Sequence, residues 1–456
     1  MSRIVKLAIS AAVVPLLGMA AVPAAASTPL ASPMEAMLQS SDSGVRAFYS
    51  SRDNRPIWIR SGLVLADAHR LVDILRRADL DGMRNGPELA ERLEETIARA
   101  ESGEPQDLAR AELMLSSAWV DYVQTLRRPV DVGMTYIDAS LKPRQLSEES
   151  ILRAAAEAPS LGRHIDIVSN HNAQYAQLRQ GLADLLDRTG GSPRGADARL
   201  EQRLRLNMDR ARVLPAADYQ GKYVLVDAAT QTLWMYENGE ARDSMRVVVG
   251  KPERQTQTPM LAGLIRFSVL NPYWNVPPDL VRKNIAPNVL DQGASYLRSK
   301  GYEVLSGWTD DARTLDPESV DWQAVASGSK ELRVRQLPGG DNFMGDVKFM
   351  FPNEFGVYLH DTPDKSLFSE AQRTLSSGCV RLEDAPRLAR WLYGQTPRAA
   401  SDAPEQAVAL KDPVPVYITY LTAEWDGGRL ALRDDFYGRD SLASYRMASA
   451  GSGALD

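Results

Sequence analysis

The 456-residue chain contains one cysteine, Cys379, so no disulfide can form within it. In an oxidising compartment a lone thiol is a liability, and it is retained either as a buried apolar residue or for the chemistry of its sulfur. Histidine is almost as scarce. His69, His164, His171 and His360 are the whole set, and their spacing matches no zinc-binding pattern. Internal apolar runs long enough to span a bilayer are missing, as are Lys/Arg runs and interleaved aromatic and basic residues. With 53 Lys+Arg against 59 Asp+Glu the chain is acidic, which argues against a nucleic-acid partner. No internal repeat is evident. What remains is an ordinary globular composition, 44% apolar and 25% charged, on a chain long enough for two or more domains.

The N-terminus departs from that composition. Arg3 and Lys6 precede an apolar stretch from Leu7 to Val22, and Ala24-Ala25-Ala26 supplies small residues before Ser27. That order reads as a cleavable signal peptide over residues 1–26, predicting export to the periplasm and no membrane span in the mature chain. Its removal takes two basic and no acidic residues, leaving 51 against 59 and a net charge of −8. Residues 27–44, rich in Ser, Ala and Pro, read as a flexible leader. From 45 to 215 apolar residues recur at three- and four-residue steps, as in Val64 to Ala78 and Leu161 to Arg188, which predicts a helical domain. After Gly221 the period becomes two. Lys222 to Val226 and Gln231 to Glu237 read as strands, and Asn238-Gly239 is a hairpin signal. This second domain runs over 216–440, interrupted at about 283–333 by an insert with Gly, Ser and Asp clusters. Residues 441–456 read as a disordered tail. The predicted class is α+β, a helical domain followed by a mostly-β domain.

The chemistry concentrates in Val357-Tyr358-Leu359-His360-Asp361 and Ser376-Ser377-Gly378-Cys379-Val380-Arg381. His360 is the one histidine that shares a domain with Cys379. A thiol needs a base or a cation nearby to ionise at neutral pH, so a histidine at a strand end and a cysteine after a glycine-containing turn are suited to a nucleophile–base pair. Gly378 lets the backbone approach a substrate carbonyl, and the amides around it are candidate oxyanion donors. Tyr358 falls on the same strand face as His360, either to hydrogen-bond the imidazole or to pack in the core. Arg381 either forks onto a substrate carboxylate or pairs with Glu383 or Asp384. Trp274 and Tyr273, between prolines, line a groove or pack.

These stretches resemble the L,D-transpeptidases with a YkuD-type catalytic domain, in the long subclass that carries a helical scaffold. The family motif is a His, a spacer, then Ser/Thr-His-Gly-Cys, a hydrophobic residue and Arg/Asn; here it stands as His360 and then Ser376 to Arg381. Val249-Gly250-Lys251-Pro252, Gln257-Thr258-Pro259, Asn271 to Pro278, Arg335 to Gly339 and Lys348 to Asn353 also look like this subclass. The resemblance implies a scaffold domain, a mostly-β catalytic domain and a capping subdomain formed by the insert. It implies Cys379 as nucleophile, His360 as general base and acid, Gly378 as oxyanion backbone, and Arg381, Trp274, Tyr273, Asn275 and Ser376 at the substrate. It further implies peptidoglycan stem peptides as substrate, acylation by carbapenems, and no cofactor or metal.

Two departures stand out. Ser377 replaces the family's usual histidine before the Gly-Cys pair, and no peptidoglycan-binding module fits the short break at Thr189 to Gly195. Alternative readings keep the site and change the acceptor, to water in an L,D-carboxypeptidase or to a protein lysine in a wall-anchoring transferase. A non-catalytic wall-binding protein would have no need of both Cys379 and His360.

Overall fold

The computed structural model describes residues 30–309, 311–426 and 429–441. The expected signal peptide, and the expected tail beyond residue 441, lie outside the described residues.

The N-terminal half is helical: α1 (Ala31–Leu38), α2 (Ser43–Ser50), α3 (Asp67–Leu75), α4 (Gly86–Ala100), α5 (Pro105–Leu126), α6 (Glu148–Glu157), α7 (Leu161–Asn170), α8 (Ala173–Arg188) and α9 (Ala196–Arg212), with a small hairpin of β1 (Ile59–Arg60) and β2 (Leu63–Val64). Local chemistry sets several starts. Pro87 and Pro105 open α4 and α5, where a missing N–H costs nothing, and Ser147, Ser160 and Asn172 cap α6, α7 and α8 through their side-chain oxygens. The longest helix, α5, buries Trp119 and Tyr122 at the centre of this half.

The expected flexible leader is in part a packed helix. Leu30, Met34 and Leu38 recur at four-residue steps and are buried in the helical core, and the Arg46 guanidinium binds the Leu38, Gln39 and Ser41 carbonyls at the end of α1. Its Ser/Ala/Pro composition masked that apolar stripe.

The second half is built from β3 (Thr135–Tyr136), β4 (Lys222–Asp227), β5 (Thr232–Glu237), β6 (Glu240–Gly250), β7 (Leu261–Leu270), β8 (Trp274–Val276), β9 (Tyr302–Leu305), β10 (Arg333–Gln336), β11 (Val347–Met350), β12 (Leu359–His360), β13 (Thr374–Ser376), β14 (Val380–Leu382), β15 (Gln406–Thr419), β16 (Ala423–Asp426) and β17 (Arg429–Leu432). The main sheet runs β11-β12-β14-β6-β5-β4-β15-β7-β3, and β11 also pairs with β7, so the sheet closes on itself. Closure leaves no free edge between those strands and encloses a core that includes Val247, Val249, Phe349, Leu359 and Val380. Asn238 and Gly239 turn the β5–β6 hairpin with φ of 53° and 77°, as a two-residue turn of this hand requires.

The insert is a unit with its own core. β8, β10 and β9 form a separate three-stranded sheet, covered by α10 (Pro278–Leu280), α11 (Ala286–Gln292), α12 (Ser295–Ser299) and α13 (Trp322–Ser327) around Val276, Ile285, Trp322 and Val334. It begins at Trp274 and ends at Gln336, wider than 283–333, because its first and last strands, β8 and β10, carry the same alternation as the main sheet.

The two halves interlock. β3 joins the closed sheet beside β7, while from the hairpin of β16 and β17 Ala423 sits in the helical core and the partly buried Leu430 packs against it. Asn207 of α9 donates to Thr422 Oγ1 at 3.0 Å and accepts the Thr422 amide at 2.7 Å. In the Asn207→Leu variant that buried amide loses its partner, which costs about 2 kcal/mol. Urea unfolding should show that loss as a single earlier transition for both halves; two separate transitions would mean that the halves are energetically independent.

Candidate active site

Cys379 sits on a turn whose shape is set by two glycines and three hydroxyls. Gly378 has a φ of +116°, in the region that only glycine enters without strain. Ser376 Oγ accepts the Gly378 N–H at 3.1 Å and donates to the Cys379 carbonyl at 2.6 Å, closing the turn on itself. Thr258 Oγ1 donates to the Gly378 carbonyl at 2.8 Å and accepts the Gly250 N–H at 2.8 Å. Tyr437 then donates to the Gly250 carbonyl at 2.7 Å and accepts the Thr258 amide at 3.3 Å. Gly250 is obligatory, since a Cβ there would lie 1.9 Å from the Thr256 carbonyl oxygen.

His360 ends β12 between β11 and β14, opposite Lys348 on one side and Arg381 on the other. Arg381 in turn pairs with Val248 of β6, which is buried but lies outside the core of the closed sheet. Lys348, His360, Arg381 and Val248 therefore share the outer face, and Cys379, two residues before Arg381, shares it too. The Val380 amide binds the Tyr358 carbonyl at 3.0 Å, which sets Cys379 level with Tyr358. From strand spacing and rise, the Cα atoms of Cys379 and His360 are diagonal neighbours on the order of 8 Å apart.

The electrostatics of the pair follow from burial. His360 is 3% exposed, and Nδ1 lies 2.6 Å from the Asp361 carbonyl oxygen. A carbonyl only accepts, so Nδ1 carries the proton and Nε2 keeps its lone pair. Burial first, and then the Arg381 and Lys348 cations, lower the imidazole pKa to about 4 against the opposing pull of Asp361. Burial raises the half-buried Cys379 thiol, offset in part by the Tyr358 amide and the Arg381 guanidinium. Its Sγ–H is directed to the Gly356 carbonyl at 3.5 Å, not to the imidazole. The resting pair is a neutral thiol and a neutral base.

A groove of about 580 Å³ opens between this face and the cap, with Trp274, Tyr296, Lys300, Ser377 and Arg381 among its lining residues. Of the residues expected at the substrate, Trp274 and Arg381 line it. Arg381 does not form the alternative ion pair: Glu383 binds Arg246, Asp384 caps α14 (Ala385–Tyr393), and Arg381 Nε has no hydrogen-bond partner. Tyr273 and Asn275 do not line the groove. Strand alternation turns them away from Trp274, so Tyr273 lies 4.0 Å under the Arg335 guanidinium and exposed Asn275 accepts from Arg333 at 3.4 Å. Ser376 is buried with its hydroxyl committed to the turn, and the same bond occupies the Gly378 amide, leaving the Cys379 amide as the donor free for an oxyanion. Tyr358 makes no hydrogen bond to His360; the Asp361 carbonyl orients the ring instead.

Thr258, Gly250, Tyr437 and Asp361 carry the geometry without having been singled out for it. The first two lie in stretches already notable in the sequence, Gln257-Thr258-Pro259 and Val249-Gly250-Lys251-Pro252. Tyr437 lies some sixty residues downstream of the cysteine, and no local signal marks it.

Comparison with known proteins fits this arrangement. Residues 221–418 match the YkuD family, the L,D-transpeptidase catalytic domain, and residues 43–182 match the scaffold domain family. The chain is 28% identical over 357 residues to a Haemophilus influenzae protein assigned by inference to the L,D-transpeptidases, covering 76% of this chain and 69% of that one. It is also similar to the structure of an L,D-transpeptidase from Mycobacterium smegmatis, at 15% identity and a TM-score of 0.22, over 43% of this chain and 58% of that one, a likeness that carries no weight here.

Because the imidazole pKa falls from 6.5 unfolded to about 4 folded, the unfolded chain binds the extra proton between those values. The stability tied to a neutral His360 is complete above pH 6.5 and is lost as pH falls through 4, by about 3 kcal/mol in all. Chemical unfolding of wild type and His360→Gln over this range should converge by that amount as pH falls, since His171, whose pKa is also lowered, titrates in both. A constant difference between the two curves would mean that folding leaves the His360 pKa unshifted.

Proposed function

The chain belongs to the L,D-transpeptidase family, and on that premise we propose that it is exported to the periplasm and cross-links peptidoglycan stem peptides through a thioester on Cys379. The observation that carries this reading is the placement of the sole thiol beside the capped groove, on one sheet face with the only imidazole of its half. The donor is a tetrapeptide stem whose third residue, meso-diaminopimelate, is joined to a terminal D-alanine. His360 Nε2 takes the thiol proton as sulfur attacks the carbonyl carbon of that third residue, and the Cys379 amide faces the oxyanion. The C–N bond breaks, His360 returns the proton to the departing amine of D-alanine, and the acyl group stays on sulfur. An acceptor amine then attacks the thioester, gives its proton to His360, and displaces the thiolate, which is reprotonated. Arg381, beside Sγ and without a counter-ion of its own, favours the thiolate at both stages. A carbapenem, whose strained amide resembles the scissile bond, enters the same first step.

Meropenem should add one covalent adduct to the wild-type protein by intact mass and none to Cys379→Ser; an adduct on the variant would place the nucleophile elsewhere. Removal of the base is the finer test. His360→Ala should acylate at least about a hundredfold more slowly at neutral pH and recover in part at high pH, where solvent ionises the thiol. Acylation near the wild-type rate would require another base.

A further inference from the structure

The two cations beside the His360 imidazole are handled in opposite ways. Arg381 of β14 has no hydrogen-bond partner at Nε and no ion pair among the described residues, so its charge stays uncancelled next to Sγ. Lys348, opposite His360 on β11, is buried, and its Nζ donates to both carboxylate oxygens of Glu405, at 3.0 and 3.2 Å. Its stem crosses β7 to reach them: Lys348 pairs with Val269, which is buried outside the core of the closed sheet, and β7 pairs in turn with β15, which Glu405 precedes.

Glu405 is placed by the chain that enters the cap. Its N–H donates to the Asn271 carbonyl at 2.9 Å, and its Oε1 accepts the Tyr273 N–H at 2.7 Å. Its φ of +57° is a left-handed conformation that a glutamate avoids, and such strain persists where the surroundings over-determine it. The other titratable groups at the ring are engaged elsewhere. Asp361 gives its carbonyl to Nδ1, and its carboxylate accepts from Lys365 at 2.7 Å and from the Asp346 amide at 3.2 Å. Cys379 directs its proton to the Gly356 carbonyl, and Tyr358 makes no hydrogen bond to the ring. Of the two cations, Lys348 is therefore the one whose effect on the imidazole is set by a partner.

We propose that Lys348 and Glu405 are positioning residues for the proton transfer: acting through His360, their ion pair sets how firmly the imidazole holds the proton it takes from sulfur. Only the catalytic consequence rests on the functional reading above. An uncancelled cation at this position repels the imidazolium, and a neutral residue lets the ring charge more readily. The pair holds the ring between those limits, neutral at rest yet able to accept the thiol proton. Arg381, left unpaired, stabilises the thiolate while also weakening the base, and Glu405 keeps Lys348 from weakening it much further.

The imidazole can be read directly in the full chain labelled with carbon-13 at histidine Cε1, the His360 resonance being assigned by its loss in His360→Gln. Its titration midpoint, about 4 in wild type, should rise by at least about half a pH unit in Lys348→Met and fall by at least about 0.3 in Glu405→Gln, and the double variant should follow Lys348→Met. The acid limb of the pH–rate profile for acylation by meropenem should move with it. An ion pair that only supports the fold would lower stability in both variants and move the midpoint in neither. Smaller movements, movement of both variants in one direction, or a double variant that resembles Glu405→Gln overturns the inference. Should Lys348→Met fail to fold, Glu405→Gln, whose side chain keeps an oxygen for the Tyr273 amide, decides alone. A wild-type protein that meropenem does not acylate overturns the functional reading, and the imidazole midpoints still decide what the ion pair does.

Discussion

Thr258 Oγ1 has no freedom: it is fully buried, with Gly250 donating to it and Gly378 accepting from it. Through that hydroxyl the end of β6 fixes the turn that presents Cys379. The relay continues outward, since Tyr437 holds both Gly250 and Thr258, and the segment around Tyr437 is held by Arg210 of α9 through the Tyr420 and Arg439 carbonyls and Asp440. Helical half, C-terminal segment, strand end and the Cys379 turn form one chain of hydrogen bonds. In a low-dielectric interior each link is worth more than at the surface, and a broken one leaves a polar group stranded. The scaffold therefore takes part in positioning the cysteine although it contributes no reactive group.

Burial also fixes the chemical state of that cysteine. The same desolvation that lowers the His360 imidazole raises the Cys379 thiol, so at rest the proton stays on sulfur and the ring is neutral. An ion pair formed in advance would be more nucleophilic but would leave a thiolate open to oxidation. With Nδ1 tied to the Asp361 carbonyl, the ring offers one basic nitrogen in one orientation. Arg381 supplies the remaining bias toward thiolate, and it can do so because Glu383 and Asp384 are occupied by Arg246 and the start of α14.

The sequence made the division into a helical and a β half legible, because periods of 3.6 and 2 are written directly in the spacing of apolar residues. Scarcity singled out the candidate pair: one cysteine, and one histidine in its half. What stayed hidden was set by tertiary context. The helix from Ala31 looked like a leader because Leu30, Met34 and Leu38 were diluted by Ser, Ala and Pro, and only packing against α5 gives them meaning. The family resemblance put Ser376 at the substrate, yet its side chain is buried with its hydroxyl committed to the turn. Tyr273 and Asn275 fell with Trp274 in one conspicuous run, and alternation then separated them. Tyr437 could not be found at all, since its role depends on where the chain returns after β17.

The cap illustrates how few contacts set a large feature. Its core is separate from that of the closed sheet, and its chain enters after Asn271 and leaves after Gln336. Asn342, buried between the two connections, donates to the Pro272 and Leu337 carbonyls at 2.9 Å each and accepts the Met344 amide at 2.7 Å. One amide side chain thus ties entry to exit. Gln336 extends the knot to the Lys300 carbonyl and the Phe343 amide, and Phe343 places its ring 4.7 Å from Trp274 in the groove wall. The groove wall is thus tied to the base of the cap by polar bonds as well as by the Trp274–Phe343 packing. Such bonds are directional, and they orient the connections of the cap while its own core, around Val276, Trp322 and Val334, is separate from that of the sheet.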